Sequence, residues 1–177
     1  MSHILFIVVG CMVGEKFAAA RANRSLTGGA DSVTLYDLGF PENGAGAEKR
    51  ITGNVTDADL MRETIATRPD IIYHLASIVS GEAEVDFDKG GDGNGTAFRT
   101  FLDLIAAEHL ASGGAWRPKL IFTSSIAVFG APYPDKIGDE FLCSPQTSYG
   151  AQKAISELLV QDWSRKGIID GLSIRLP

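Results

Sequence analysis

Apolar runs and helical periodicities alternate along the chain. Residues 3–9 form a short run with no polar face, the pattern of a buried strand, and 12–24 follow at helical spacing. Gly28 and Gly29 break the chain, and 32–36 reads as a second strand that ends in Asp37. A loop rich in Gly and Pro over 39–46 leads to a weak strand at 50–55. Thr56 or Asp57 caps the next helix, which carries Leu60, Thr64 and Ile65 on one face and stops before Pro69. Residues 70–75 predict another buried strand, and 76–95 an irregular stretch of acidic residues and glycines. A helix over 96–110 aligns Phe98, Phe101, Leu102 and Ile105 in an apolar stripe. A strand at 119–123 and a long loop to Thr147 follow. Ser148 then opens a helix that runs to about 166 and stops at Gly167, and 172–176 reads as a last strand.

Strands that alternate with helices and read as unbroken apolar runs imply parallel βαβ units. The predicted fold is α/β: a doubly wound parallel sheet with helices on both faces, in which ligands bind at the carboxyl edge where the strand order reverses. No internal repeat, low-complexity stretch or linker interrupts it, so residues 1–177 read as one domain. The chain stops at Pro177 directly after a strand, which predicts that part of a larger protein, beyond the C-terminal end, is absent.

Composition narrows the function classes. Apolar residues make up 45% and charged residues 21%, which excludes a disordered tail or a fibrous repeat. A net charge of -6, spread along the chain, argues against nucleic acid as a partner. Two cysteines, Cys11 and Cys143, are too few for a disulfide framework and fit a reducing compartment. Val8-Val9-Gly10-Cys11 reads like a lipoprotein cleavage box. No Lys or Arg precedes it, however, and the apolar run is far short of the ~20 residues that span a bilayer. The expectation is a cytoplasmic protein with no membrane association.

Three features carry candidate chemistry. The turn after the first strand, Val8 to Gly14, offers Gly14 for close helix–strand packing and Gly10 for the bend of a dinucleotide turn; a plain strand–helix turn is the alternative. Asp37 lies 23 residues beyond Gly14 at a strand end. A carboxylate there bonds adenosine ribose hydroxyls and repels a 2′-phosphate, unless it is merely a solvated acid. Tyr149 and Lys153 are four apart, on one helix face. A neighbouring ammonium favours an ionised phenol, which ordinarily titrates near ~10, and such a phenolate takes the proton from an alcohol as hydride leaves the same carbon. An exposed surface pair is the alternative. Ser125 ends the preceding strand, where its hydroxyl either holds a substrate oxygen or caps the chain. His3, His74 and His109 have no partners at metal spacing, so core or surface roles are expected and no metal is assigned. Glu82, Glu84, Asp86 and Asp88 read as an acidic solvated loop, and Phe98, Phe101 and Trp163 as core.

Ser124-Ser125-Ile-Ala-Val-Phe-Gly130 followed by Tyr149-x-x-x-Lys153 resembles the extended short-chain dehydrogenase/reductase superfamily, the NAD-dependent sugar epimerases and dehydratases. Residues 76–84, 122–130, 147–150 and Arg175-Leu-Pro177 resemble, more narrowly, its members that act on four-carbon sugar acids. The resemblance implies a Rossmann-type domain that binds NAD. It implies oxidation of the C2 hydroxyl of such an acid to the 2-keto acid, with Tyr149 as base, Ser125 on the substrate oxygen, and Lys153 on the nicotinamide ribose. It places Gly10, Met12, Val13, Gly14, Asp37, Asn54, Val55, Leu75 and Ala76 against the cofactor, with Tyr149 and Lys153, and Ser80 against the substrate, with Ser125 and Tyr149. It also implies a homodimer paired through helices that include the Tyr–Lys helix. Departures are visible. Val8 and Cys11 stand at two positions of the family's Gly-x-x-Gly-x-x-Gly, Asn54 replaces an aspartate, and the C-terminal substrate domain is missing. Two alternatives therefore stand beside the dehydrogenase: a nucleotide-sugar epimerase with tightly held NAD, and a catalytically silent fragment or weak nucleotide-binding module.

Overall fold

A computed structural model describes residues 2–7, 32–40, 49–76, 95–138 and 140–177. Six strands form one sheet: β1 (His3–Ile7), β2 (Ser32–Asp37), β3 (Lys49–Thr52), β4 (Ile71–His74), β5 (Lys119–Ser125) and β6 (Asp170–Leu176). Their spatial order is β3-β2-β1-β4-β5-β6, and every neighbouring pair is parallel. This is the doubly wound order, and it reverses between β1 and β4. The Leu75 N–H bonds the Ile7 carbonyl at 3.0 Å, so the ladder closes at the carboxyl ends of those two strands.

Three helices connect the described strands: α1 (Ala58–Ile65), α2 (Ala97–Ala111) and α3 (Ser148–Arg165). Strand pleating sends alternate residues to opposite faces. Leu5, Ile7, Tyr36, Ile72, Leu120 and Phe122 pack with Met61, Ile65, Phe98, Phe101, Leu102 and Val160 of the helices in the main core, while Ile4, Phe6 and Val33 form a smaller cluster on the other face. Helix α1 packs on α2, and α2 on α3. Trp163 Nε1 donates to the Leu102 carbonyl at 3.1 Å, which ties α3 to α2 from inside the core. The predicted helix over 12–24, the glycine turn with Gly10, Met12, Val13 and Gly14, most of the loop at 39–46 and the acidic stretch with Ser80 lie outside the described residues.

Local signals explain the helix ends. Asp57, not Thr56, caps α1, its carboxylate accepting from the Leu60 N–H at 3.0 Å. Thr147 caps α3 by accepting from the Gly150 N–H at 3.0 Å. Gly167, at φ 76°, ends α3 in a Schellman turn in which the Ile168 N–H reaches back to the Trp163 carbonyl at 3.0 Å.

The edges correct two expectations. Strand β6 starts at Asp170 rather than 172, because its register with β5 begins at Lys119 opposite Asp170. Strands β3 and β6 are also not buried runs: with one neighbour each they stay open, and Leu172 and Ile174 of β6 are 55% and 40% exposed. A groove lined by Ala154, Leu158, Gln161, Leu172 and Ser173 runs between α3 and this open edge, and its walls include none of Ser125, Tyr149 or Lys153.

Candidate active site

The site is built at the carboxyl end of β5. Ser125 ends the strand in extended backbone, and a single 3-10 turn, Ile126–Val128, follows. The Ser125 hydroxyl accepts from the Ala127 N–H at 3.2 Å, so it does cap the turn, and it remains half-exposed. Helix α3 then returns to the same spot. Gly150, buried in its first turn, lies so close to the 3-10 turn that a Cβ there would overlap the Ala127 carbonyl oxygen. Tyr149 precedes that glycine. Ser125 and Tyr149 therefore flank one backbone contact, although 24 residues separate them in sequence.

Lys153 lies one turn further along α3 and is only 3% exposed, which rules out the exposed surface pair. Its ammonium donates to the Thr123 carbonyl at 2.6 Å, stands 4.7 Å over the Phe122 ring, and is 5.7 Å from the centre of the Tyr149 ring. Burial disfavours the charged form and brings its pKa down to about 8. An ammonium has three donors. Among the described residues one of them is paired, with Thr123, leaving two for a ligand's hydroxyls.

The first half of the sheet supplies a second group at the same edge. Asp37, 7% exposed, ends β2, and its carboxylate accepts from the Leu38 N–H at 2.6 Å. Asn54 sits beside it in a loop anchored from below: the Tyr36 hydroxyl donates to its carbonyl at 2.7 Å, and its own Oδ1 accepts from the Thr56 N–H at 3.1 Å. Burial, with Asp57 adding to it, pushes the Tyr36 phenol up to about 12, so it stays a donor. Gly53 allows this tight loop, since a Cβ there would overlap Leu60 and lie 2.8 Å from the Tyr36 oxygen. Val55 is half-buried against the core; Leu75 and Ala76, 6% and 8% exposed, close the end of β4 at the switch point. Asp37 and Lys153 thus bracket the reversal of strand order from its two sides, the placement a dinucleotide's two riboses require. The donor set at this edge fits NAD.

His74, 4% exposed, enters the site only as a neighbour. Phe98, Phe101 and Phe122 surround its ring at 4.9, 4.9 and 6.1 Å, and among the described residues its Nδ1 has no partner. Burial, with the Lys153 ammonium adding to it, lowers its pKa from 6.5 to about 3. The sign of the consequence is definite. Between those values the folded chain binds fewer protons than the unfolded one, so this stabilisation is present above pH 6.5 and drains away as pH falls toward 3, at ~1.4 kcal/mol per unit. His3, also lowered by burial, acts in the same direction. Urea unfolding at pH 7 and pH 5 should therefore show a shallower acid loss for His74→Leu than for the unmodified chain. Equal slopes would assign the acid sensitivity elsewhere.

Sequence reasoning missed three participants. Gly150 has a readable signal, a glycine inside a helical pattern. Glu157 continues the Tyr149–Lys153 spacing by another turn, but its partner Arg175 is 18 residues away on another strand.

A hydroxyl, a phenol and a buried ammonium at the carboxyl edge of a sheet ordered 3-2-1-4-5-6 match the short-chain class of nicotinamide-dependent oxidoreductases. The chain belongs to the NAD dependent epimerase/dehydratase family, whose model matches residues 11–177. It is 41% identical over 146 residues to a D-erythronate dehydrogenase of Cupriavidus necator, covering 82% of this chain and 43% of that one. It is 43% identical over 115 residues to a D-erythronate dehydrogenase of Haemophilus influenzae, covering 65% of this chain and 35% of the relative. The crystal structure of a nucleoside-diphosphate-sugar epimerase from Agrobacterium tumefaciens superposes with a TM-score of 0.91 at 44% identity, covering 99% of this chain and 52% of that one. The chain thus spans about half the length of these relatives or less.

Proposed function

We propose that this chain is the NAD-binding, proton-transferring part of a dehydrogenase that oxidises the C2 hydroxyl of a four-carbon sugar acid, D-erythronate or a close analogue. The observation that carries the reading is the buried Lys153 ammonium between the Thr123 carbonyl and the Tyr149 ring, at the strand end that presents Ser125. NAD supplies the hydride acceptor when bound. Asp37 holds the adenosine ribose hydroxyls and disfavours a 2′-phosphate by charge, and Lys153 takes the nicotinamide ribose with its remaining donors. Ser125 donates to the substrate oxygen, and Tyr149 removes the hydroxyl proton at that oxygen.

No described helix is long and apolar enough to cross a membrane; the cytoplasmic setting belongs to the proposal and is supported by the low cysteine content of the chain. The exposed Ile155 and Leu158 of α3 support a homodimer formed through that helix.

The sugar epimerase is the second reading, favoured by the name of the Agrobacterium relative. One experiment separates them. Incubated with NAD and D-erythronate, a protein that carries this chain and extends to the length of these relatives should release free NADH in step with the 2-keto acid, whereas an epimerase regenerates NAD within each cycle and accumulates none. Binding of NAD without NADH from D-erythronate would remove the dehydrogenase reading. Failure to bind NAD at all would make the chain a silent fragment.

A further inference from the structure

Arg175 joins four separate pieces of chain beside this site. Its Nε and one terminal nitrogen donate to the two carboxylate oxygens of Glu157 at 2.9 and 2.8 Å, a forked pair between β6 and α3. The same terminal nitrogen lies 3.2 Å from the Cys143 sulfur. The guanidinium stands 4.8 Å over the Phe129 ring. The register sets Arg175 opposite Ser124, next to Ser125.

This is not an ordinary surface salt bridge, which contributes little to stability. The Glu157 side chain is 14% exposed. Burial, the largest single influence, works to raise its pKa, yet hydrogen bonding from Arg175 and Ser124 and the Arg175 charge together outweigh it and hold the carboxyl below its ordinary value. The Ser124 hydroxyl is buried and, among the described residues, makes no hydrogen bond of ordinary geometry, but it lies near enough to Glu157 to favour the same ionised form. Neither group leaves this arrangement cheaply, because a largely buried carboxylate stripped of its partner keeps much of its desolvation cost.

The topology gives the cluster its meaning. Tyr149, Lys153 and Glu157 occupy successive turns of one stripe of α3. Phe129 and Cys143 lie near the two ends of the connection that runs from Ser125 to Tyr149. One guanidinium therefore grips both the helix that carries the phenol and the two legs of the loop that spaces it from the serine. Only a planar fork does this; a lysine offers a single point of charge.

We infer that Arg175 is a positioning residue: clamped by Glu157, it sets the distance and angle at which Tyr149 meets a substrate hydroxyl held by Ser125. The inference rests on the dehydrogenase reading above. Two arms test it, hydrogen exchange in the 177-residue chain and rates in a protein that extends this chain to the length of its relatives. In Arg175→Lys, and independently in Glu157→Gln, the Ser144 amide, bonded to the Val128 carbonyl at 3.0 Å, should exchange hydrogen about tenfold faster, while the amides of β1 and β4 keep their protection. In the same variants kcat for NADH formation should fall about tenfold to a hundredfold with KM for NAD unchanged, since a misplacement of about 1 Å costs that much. A merely structural residue would instead raise exchange throughout and lower the active fraction, leaving kcat per folded molecule intact. Unchanged protection of Ser144, or full kcat in Arg175→Lys, overturns the inference. If the extended, otherwise unmodified protein forms no NADH, the functional reading fails separately, and the exchange arm still decides whether Arg175 fixes this connection.

Discussion

Tyr149→Phe should lower NADH formation by about 10²–10⁴-fold, the range a positioned general base contributes. The substitution removes one oxygen and leaves the ring. The Lys153 bond to Thr123, at 2.6 Å, and the Gly150 contact with Ala127 do not involve that oxygen. Stability should therefore change by less than ~1 kcal/mol, as for a half-exposed position with no structural hydrogen bond at stake. NAD affinity should be retained within a few-fold, because the substitution leaves untouched Asp37 and Lys153, the residues proposed above to hold the riboses. Steady-state rates alongside a fluorescence titration of NAD check both halves. Turnover within tenfold of the unmodified chain would remove Tyr149 as the base.

Gly150→Ala should damage the molecule differently, lowering stability and rate together. Alanine is the better helix former by ~1 kcal/mol, so propensity alone predicts a gain. The local geometry opposes it. The new methyl would overlap the Ala127 carbonyl oxygen, a backbone atom that cannot swing aside, and would press on Pro145 at 3.1 Å. Forced overpacking costs ~1–3 kcal/mol, and this contact belongs at the upper end. The net loss is about 2 kcal/mol, or roughly 4–8 °C in Tm for a chain of this size. Relief requires α3 to move away from the end of β5, which separates Tyr149 from Ser125, so kcat should fall by about a hundredfold. Thermal unfolding and single-turnover rates together check this. A rise in Tm with normal turnover would mean that the helix does not depend on this approach.

Much of this arrangement was readable from local pattern. The strand cores, the capping by Asp57 or its neighbour, the stop at Gly167 and the helical stripe of Phe98, Phe101, Leu102 and Ile105 all follow from residues within a turn or two of each other. Candidate chemistry was readable where it also followed a local rule: Tyr149 and Lys153 share a helix face, and Asp37 and Ser125 end strands. What failed to show was whatever depends on meeting across the fold. The exposure of β6 reflects its place at the sheet edge, which no run of apolar residues reveals. The Glu157–Arg175 pair spans two elements, and neither residue carries a mark of the other.

The amino-acid order by itself determined a parallel α/β sheet, the ends of its helices, and which side chains can hold or move a proton. Those properties come from periodicity, caps and functional groups, which act over a few residues. The tertiary structure alone decided that Lys153 is buried beneath the Tyr149 ring, that Gly150 brings α3 against the turn after Ser125, and that Arg175 binds both to β6. Each of these is a contact between segments brought together by the sheet, and its strength comes from burial and exclusion of water, which no single segment possesses before the chain has folded.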